Sequence, residues 1–188
     1  MKDSAQPAAP TAQVATRAAR PVSATCAARS VSGASAAAAV GPSEADVRFM
    51  REALKEARAA AGEGEIPIGA VVVCRGRIIG KGHNMTERLH DPTAHAEMIA
   101  MTAATEAVGG KYLSDCTLYV TVEPCPMCAA GSAWCQVGRI VYGAPDPKRG
   151  YTLFSPSLLH PRTEVLSGPL ADECSRLLSD WFASRRTP

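Results

Sequence analysis

Apolar positions first fall into register just after residue 43. Val47, Met50, Leu54 and Ala57 recur at helical spacing, Ser43 with Asp46 three residues on approximates a capping box, and Gly62 and Gly64 close the run, so a helix is predicted through Ala61. The pattern then shortens. Residues 70–73 form an apolar run of high β propensity, Arg75-Gly76 is a turn signal, and residues 77–80 return as a second strand of an antiparallel hairpin. Asp91-Pro92-Thr93 reads as a helix start with Asp91 as N-cap, and the helix continues to residue 107 before Gly109-Gly110. His95 and Glu97 therefore fall in its first turn. Residues 117–122 are a buried strand running into Pro124-Cys125-Pro126-Met127-Cys128, where Pro126 opens another helix. Residues 139–143 and 163–165 are two further strands. Residues 170–183 form a closing helix with Leu170, Cys174, Leu177, Leu178, Trp181 and Phe182 inward. Helices that alternate with strands after a hairpin imply parallel crossovers, hence an α/β fold: a three-layer α/β/α sandwich on a five-stranded mixed sheet.

Composition divides the chain in two. Residues 1–43 hold fifteen alanines and almost no aromatic or branched apolar side chains, too little to offset the entropy of ordering, so a disordered low-complexity extension is expected there and a single domain over 44–188. Arg17, Arg20 and Arg29 among serines resemble an organelle transit peptide, against the alternatives of an inert tail or an over-long start. The extension carries four basic residues and one acidic. The domain is left with sixteen basic against seventeen acidic, so contact with nucleic acid must rest on local patches such as Lys148-Arg149 and Arg185-Arg186. No apolar run approaches 18 residues, which predicts no membrane span. Seven cysteines without a secreted-scaffold spacing predict a reducing, cytoplasmic setting. Cys74, Cys116, Cys135 and Cys174 read as core.

The chemistry is concentrated at two motifs. Cys125 and Cys128 place two sulfurs one turn apart at a helix start, where the dipole favours thiolates, and His95 supplies a third soft donor. Three protein ligands leave room for a water that zinc acidifies, and Glu97 is placed to move its protons. Two positions separated by one residue on a helix point about 200° apart, so His95 and Glu97 share a metal only at the helix's N-terminal end. A structural or redox Cys-x-x-Cys is the plainer reading of the pair alone; the conjunction with His95 and Glu97 reverses it.

His95-Ala96-Glu97 with Pro124-Cys125-Pro126-Met127-Cys128 matches the signature of zinc nucleobase deaminases, a class that includes the tRNA adenosine deaminases. The flanking residues Glu65-Ile66-Pro67-Ile68-Gly69, His83-Asn84, His90-Asp91-Pro92-Thr93, Leu118-Tyr119-Val120-Thr121-Val122-Glu123 and Leu170-Ala171-Asp172-Glu173-Cys174 extend the resemblance over 44–186, to bacterial tRNA-specific adenosine deaminases. The resemblance implies a cytidine-deaminase-like fold, a homodimer with one zinc per subunit, and hydrolytic conversion of adenosine to inosine at the wobble position of a tRNA anticodon stem-loop. It further implies His95, Cys125 and Cys128 as ligands and Glu97 as the proton carrier. Asn84 corresponds to a contact to the flipped base, Asp146 to a position on the substrate path, and Phe182 to an aromatic near neighbouring bases. Ala133-Trp134-Cys135 resembles guanine deaminases equally well, so a free-base deaminase is the alternative, and a non-catalytic zinc-stabilised RNA-associated module the second.

Overall fold

The structure, a computed structural model, describes residues 41–186. The expected extension over 1–43 thus lies, up to residue 40, outside the described residues. In chain order the elements are α1 (Glu44–Gly62), β1 (Gly69–Cys74), β2 (Arg77–His83), α2 (Thr86–Leu89), α3 (Ala96–Val108), β3 (Cys116–Val122), α4 (Pro126–Trp134), β4 (Arg139–Ala144), β5 (Glu164–Ser167) and α5 (Ala171–Ser184), with short 3-10 turns at Tyr151–Leu153 and Pro156–Leu158. The strands form one sheet in the order β2-β1-β3-β4-β5. β1 pairs antiparallel with β2 and β3, whereas β3–β4 and β4–β5 are parallel. This is the expected mixed sheet.

Strand alternation divides the core into two layers. Ala70, Val72, Leu118, Val120 and Ile140 pack on one side with Ala96, Ala100, Met101 and Ala104 of α3. Val71, Val73, Tyr119 and Val141 pack on the other with Phe49, Met50, Ala53 and Leu54 of α1 and Cys174 of α5. Because both faces are covered, the strands read as apolar runs rather than alternating ones. Each fully buried Met or Leu contributes about 1.5–3 kcal/mol to this packing. α1 begins with the predicted capping box, complete in both directions between Ser43 and Asp46.

Three expectations need correction. Asp91 does not cap a helix: its Oδ1 accepts from Thr93 N at 2.8 Å and Thr93 Oγ1 at 2.7 Å, closing a turn of its own. α3 starts five residues later at Ala96, with extended His95 as its N-cap. The one-turn helix α2 was not foreseen, since Met85 at its N-cap position offers no capping side chain. In α5 Cys174 is buried and Leu170 and Leu177 pack beside it as expected, but Phe182, also expected inward, remains 37% exposed. The amphipathic pattern there marks a helix lying on the sheet with its first turns, while its last turn stacks on itself: Phe182 meets Trp181 edge-on at 5.0 Å and Arg185 covers the Trp181 ring at 4.2 Å.

Candidate active site

β3 ends at Val122, and within three residues the chain enters α4, with extended Cys125 as N-cap and Cys128 in the first turn. Pro126 at the first helical position has no N–H to leave unpaired. Across from it, His95 is the N-cap of α3. Neither cap side chain is spent on capping, so the free N–H groups of two helix starts favour negative charge there.

His95 Nδ1 lies 3.6 Å from Cys125 Sγ and 3.5 Å from Cys128 Sγ. All three donor atoms fall within 4.8 Å of one another, and among the described residues no fourth His, Cys, Asp or Glu joins them. In a tetrahedral site with Zn–S near 2.3 Å and Zn–N near 2.0–2.1 Å, sulfur and nitrogen are separated by about 3.6 Å. The spacing fits zinc. The electrostatics fit too. The Cys125 thiol is drawn down to about 4 by its hydrogen bond with Cys128, and His95 adds to the effect against burial. Cys128 is driven upward, since it faces the Cys125 sulfur in a buried setting beside Glu97. Two thiols competing for one proton beside an imidazole is a conflict that a divalent cation resolves, by favouring both thiolates.

Glu97 is 4% exposed in the first turn of α3. Burial pushes its carboxyl up to about 6, with the charge of Cys125 adding and the His95 ring opposing. Because His95 is extended rather than helical, the 200° separation expected of two helical positions does not apply, and the Glu97 carboxyl feels both the His95 ring and the Cys125 charge.

Asn84 follows β2 and is 3% exposed, donating from Nδ2 to Glu65 Oε2 and to Thr86 Oγ1, both at 3.0 Å. Met85 N–H donates to Ala94 O at 3.0 Å, which ties this segment to the residue before His95. Asp146 organises a different loop: Oδ1 accepts from Lys148 N at 2.9 Å and Arg149 N at 3.0 Å, leaving both basic side chains exposed. The Phe182 ring meets Trp181 on its own helix.

Two buried carboxylates carry structural weight beside the cluster's motifs. Glu65 is 1% and Glu123 6% exposed. Glu123 Oε2 accepts from Asp146 N at 3.1 Å, and Oε1 from Thr152 N at 3.1 Å and Thr152 Oγ1 at 2.6 Å, so the residue two before Cys125 holds the loop bearing Asp146. The available signal was a charged residue at a strand end in an otherwise apolar run.

A mixed α/β sheet that brings two thiols, an imidazole and a buried carboxylic acid to the mouths of two helices defines a zinc-dependent hydrolytic enzyme. Residues 43–144 match the model of the cytidine and deoxycytidylate deaminase zinc-binding region. The chain is 43% identical over 146 residues to the tRNA-specific adenosine deaminase of Bacillus subtilis, covering 75% of this chain and 91% of that one. It is 40% identical over 161 residues to the chloroplastic tRNA(adenine(34)) deaminase of Arabidopsis thaliana, covering 74% of this chain but 12% of that longer protein. A solved structure from work on A-to-I editing by tRNA:A34 deaminases superimposes with a TM-score of 0.65 at 42% identity, over 70% of this chain and 99% of that one. The guanine deaminase of Nitrosomonas europaea gives a TM-score of 0.66 at 25% identity, over 73% and 84%. The chain belongs to the zinc-binding cytidine and deoxycytidylate deaminase family, on the branch of the tRNA-specific adenosine deaminases.

Proposed function

We propose that this enzyme converts adenosine to inosine by hydrolysis at the wobble position of a tRNA anticodon. The observation that carries the reaction is the juxtaposition of buried Glu97 with the His95–Cys125–Cys128 cluster; likeness to tRNA-specific adenosine deaminases over about three quarters of this chain and nine tenths of theirs supports the substrate. Trp134, the residue that favoured guanine, is 85% exposed at the end of α4.

His95 Nδ1, Cys125 Sγ and Cys128 Sγ hold the metal, one per subunit. Bound there, zinc lowers the pKa of a coordinated water toward neutrality. Glu97, with its carboxyl near 6, accepts the two protons of water in turn and passes one to the purine ring nitrogen and the other to the departing amine, the cycle a group poised near working pH performs best. Asn84 holds the edge of the extruded base, Asp146 shapes the loop along its path, Lys148 and Arg149 meet phosphates, and Phe182 offers a face to a neighbouring base.

The working unit is a homodimer in the cytoplasm. Exposed Trp134, Leu153 and Phe154, on α4 and the 3-10 segment after β4, support a covered apolar face. Unpaired cysteines throughout the described residues support a reducing compartment, and no helix among them is long and apolar enough to cross a membrane. The test of activity is direct. Incubation with an adenosine-bearing anticodon stem-loop should yield inosine, Glu97→Ala should retain zinc and lose turnover, and turnover of free guanine without any inosine in RNA would reject the proposal.

A further inference from the structure

The carboxylate of Glu65 has no cationic partner among the described residues, yet it is buried and fully engaged. Oε1 accepts the N–H groups of Glu87 at 2.9 Å and Arg88 at 2.8 Å, and Oε2 accepts from Asn84 Nδ2 at 3.0 Å and Thr86 Oγ1 at 3.3 Å. The first pair explains α2: Glu65 caps it from outside its own segment, replacing the side chain that Met85 lacks. The second pair does something a cap does not require. An amide can sit either way round, but an ionised carboxylate only accepts hydrogen bonds, so Glu65 obliges Asn84 to face it with nitrogen. Both N–H groups are thereby consumed, one by Glu65 and one by Thr86 Oγ1. The amide oxygen, which no donor reaches among the described residues, remains for a ligand.

We propose that Glu65 is a positioning residue for deamination, acting through Asn84 by fixing which way its amide faces the bound nucleotide. This rests on the reading of the chain as an adenosine deaminase. A wrongly oriented amide would set like atoms against the substrate edge, and a buried polar group left unpaired discriminates strongly.

Glu65→Gln is the informative change. Its carbonyl oxygen still accepts from Glu87 and Arg88, keeping the cap, while its NH2 group opposes Asn84 Nδ2 and turns the amide over. On an anticodon stem-loop, kcat/KM should fall roughly 10–100-fold, with zinc content and melting temperature near wild type. In an Asn84→Ala background, followed by single turnover, the same change should cost less than about threefold, because the amide it orients is gone. Equal losses in both backgrounds, or no loss in either, overturn the inference. Asn84→Asp provides a second arm should Glu65→Gln fail to fold. It sets two carboxylates together that only a shared proton reconnects, so its activity relative to wild type should climb as pH falls from about 8 to about 6. A flat ratio overturns the inference. Failure of the wild-type enzyme itself to form inosine would instead remove the deaminase reading on which it depends.

Discussion

The Glu123 carboxylate occupies the space that a side chain at Gly150 would need: a Cβ built on Gly150 falls inside the van der Waals envelope of its carboxyl carbon and both oxygens. Backbone and carboxylate are pressed together there because Glu123 holds residues 146–152 through three hydrogen bonds, just upstream of Cys125. The loop that carries Asp146, Lys148 and Arg149 is thus registered against the metal motif.

Gly150→Ala should therefore push the loop off Glu123 without touching a ligand. We expect kcat/KM on a stem-loop to fall by roughly tenfold or more through misplacement of the substrate, with zinc content unchanged. Parallel metal analysis and steady-state kinetics check it; wild-type kinetics would mean the loop's register does not matter.

Gly82 plays the equivalent part for the other helix mouth. A Cβ on Gly82 would lie 2.6 Å from Ala96 O and 2.7 Å from Ala100 N, so β2 and α3 touch through backbone. Overpacking of this kind costs about 1–3 kcal/mol, or roughly 3–10 °C in melting temperature. Since Ala96 follows His95 directly, Gly82→Ala should also weaken zinc binding, read by competition with a chromogenic chelator.

Asp46 links the start of α1 to the sheet. Its Oδ1 accepts from Tyr119 OH at 2.9 Å and Arg139 Nη1 at 2.7 Å, beyond its capping bonds to Ser43. Burial works to raise its carboxyl, but the bonds from Arg139, Ser43 and Tyr119 together outweigh that and hold it well below the usual carboxylate range. A depressed folded-state value contributes stability that is present above the unfolded value near 3.9 and is lost as pH falls below it. Asp46→Asn should lower stability at neutral pH by about 2–4 kcal/mol, discounted because Arg139 is partly exposed, and flatten the acid limb. Urea melts between about pH 7 and pH 3 measure both; an unchanged acid limb would count against Asp46 as its source.

Chelation should act on stability as well as on turnover. A metal bound only by the folded chain stabilises it by mass action, so removing zinc should lower the melting temperature by several degrees and re-addition should restore it. Cys125→Ala should melt low with or without chelator. A chelator-insensitive wild-type melt would argue against a metal held by this cluster.

Much of this molecule is legible locally. The hairpin follows from Arg75-Gly76, which adopts the positive φ values of 49° and 74° that such a turn needs. Four of the five strands follow from apolar runs, the exposed edge strand β5 being the exception, and the donor set from a Cys-x-x-Cys and a His-x-Glu, because each member of a pair lies within a turn of the other. Helix starts are less legible, because competing partners decide them. Asp91 has the composition of a cap but satisfies its own turn with Thr93 two residues on, and Met85 lacks that composition but has distant Glu65 brought to it.

The amino-acid sequence by itself therefore determined the reaction, since zinc chemistry requires particular donor atoms at short spacing, and the layer order, since apolar period dictates which faces are buried. Only the tertiary structure decided that His95 is an extended N-cap, that Glu65 fixes the Asn84 amide, and that Glu123 secures the 146–152 loop. The last two are hydrogen bonds between residues about twenty or more apart. Their cost or gain depends on burial and exact approach, which no local pattern of residues encodes.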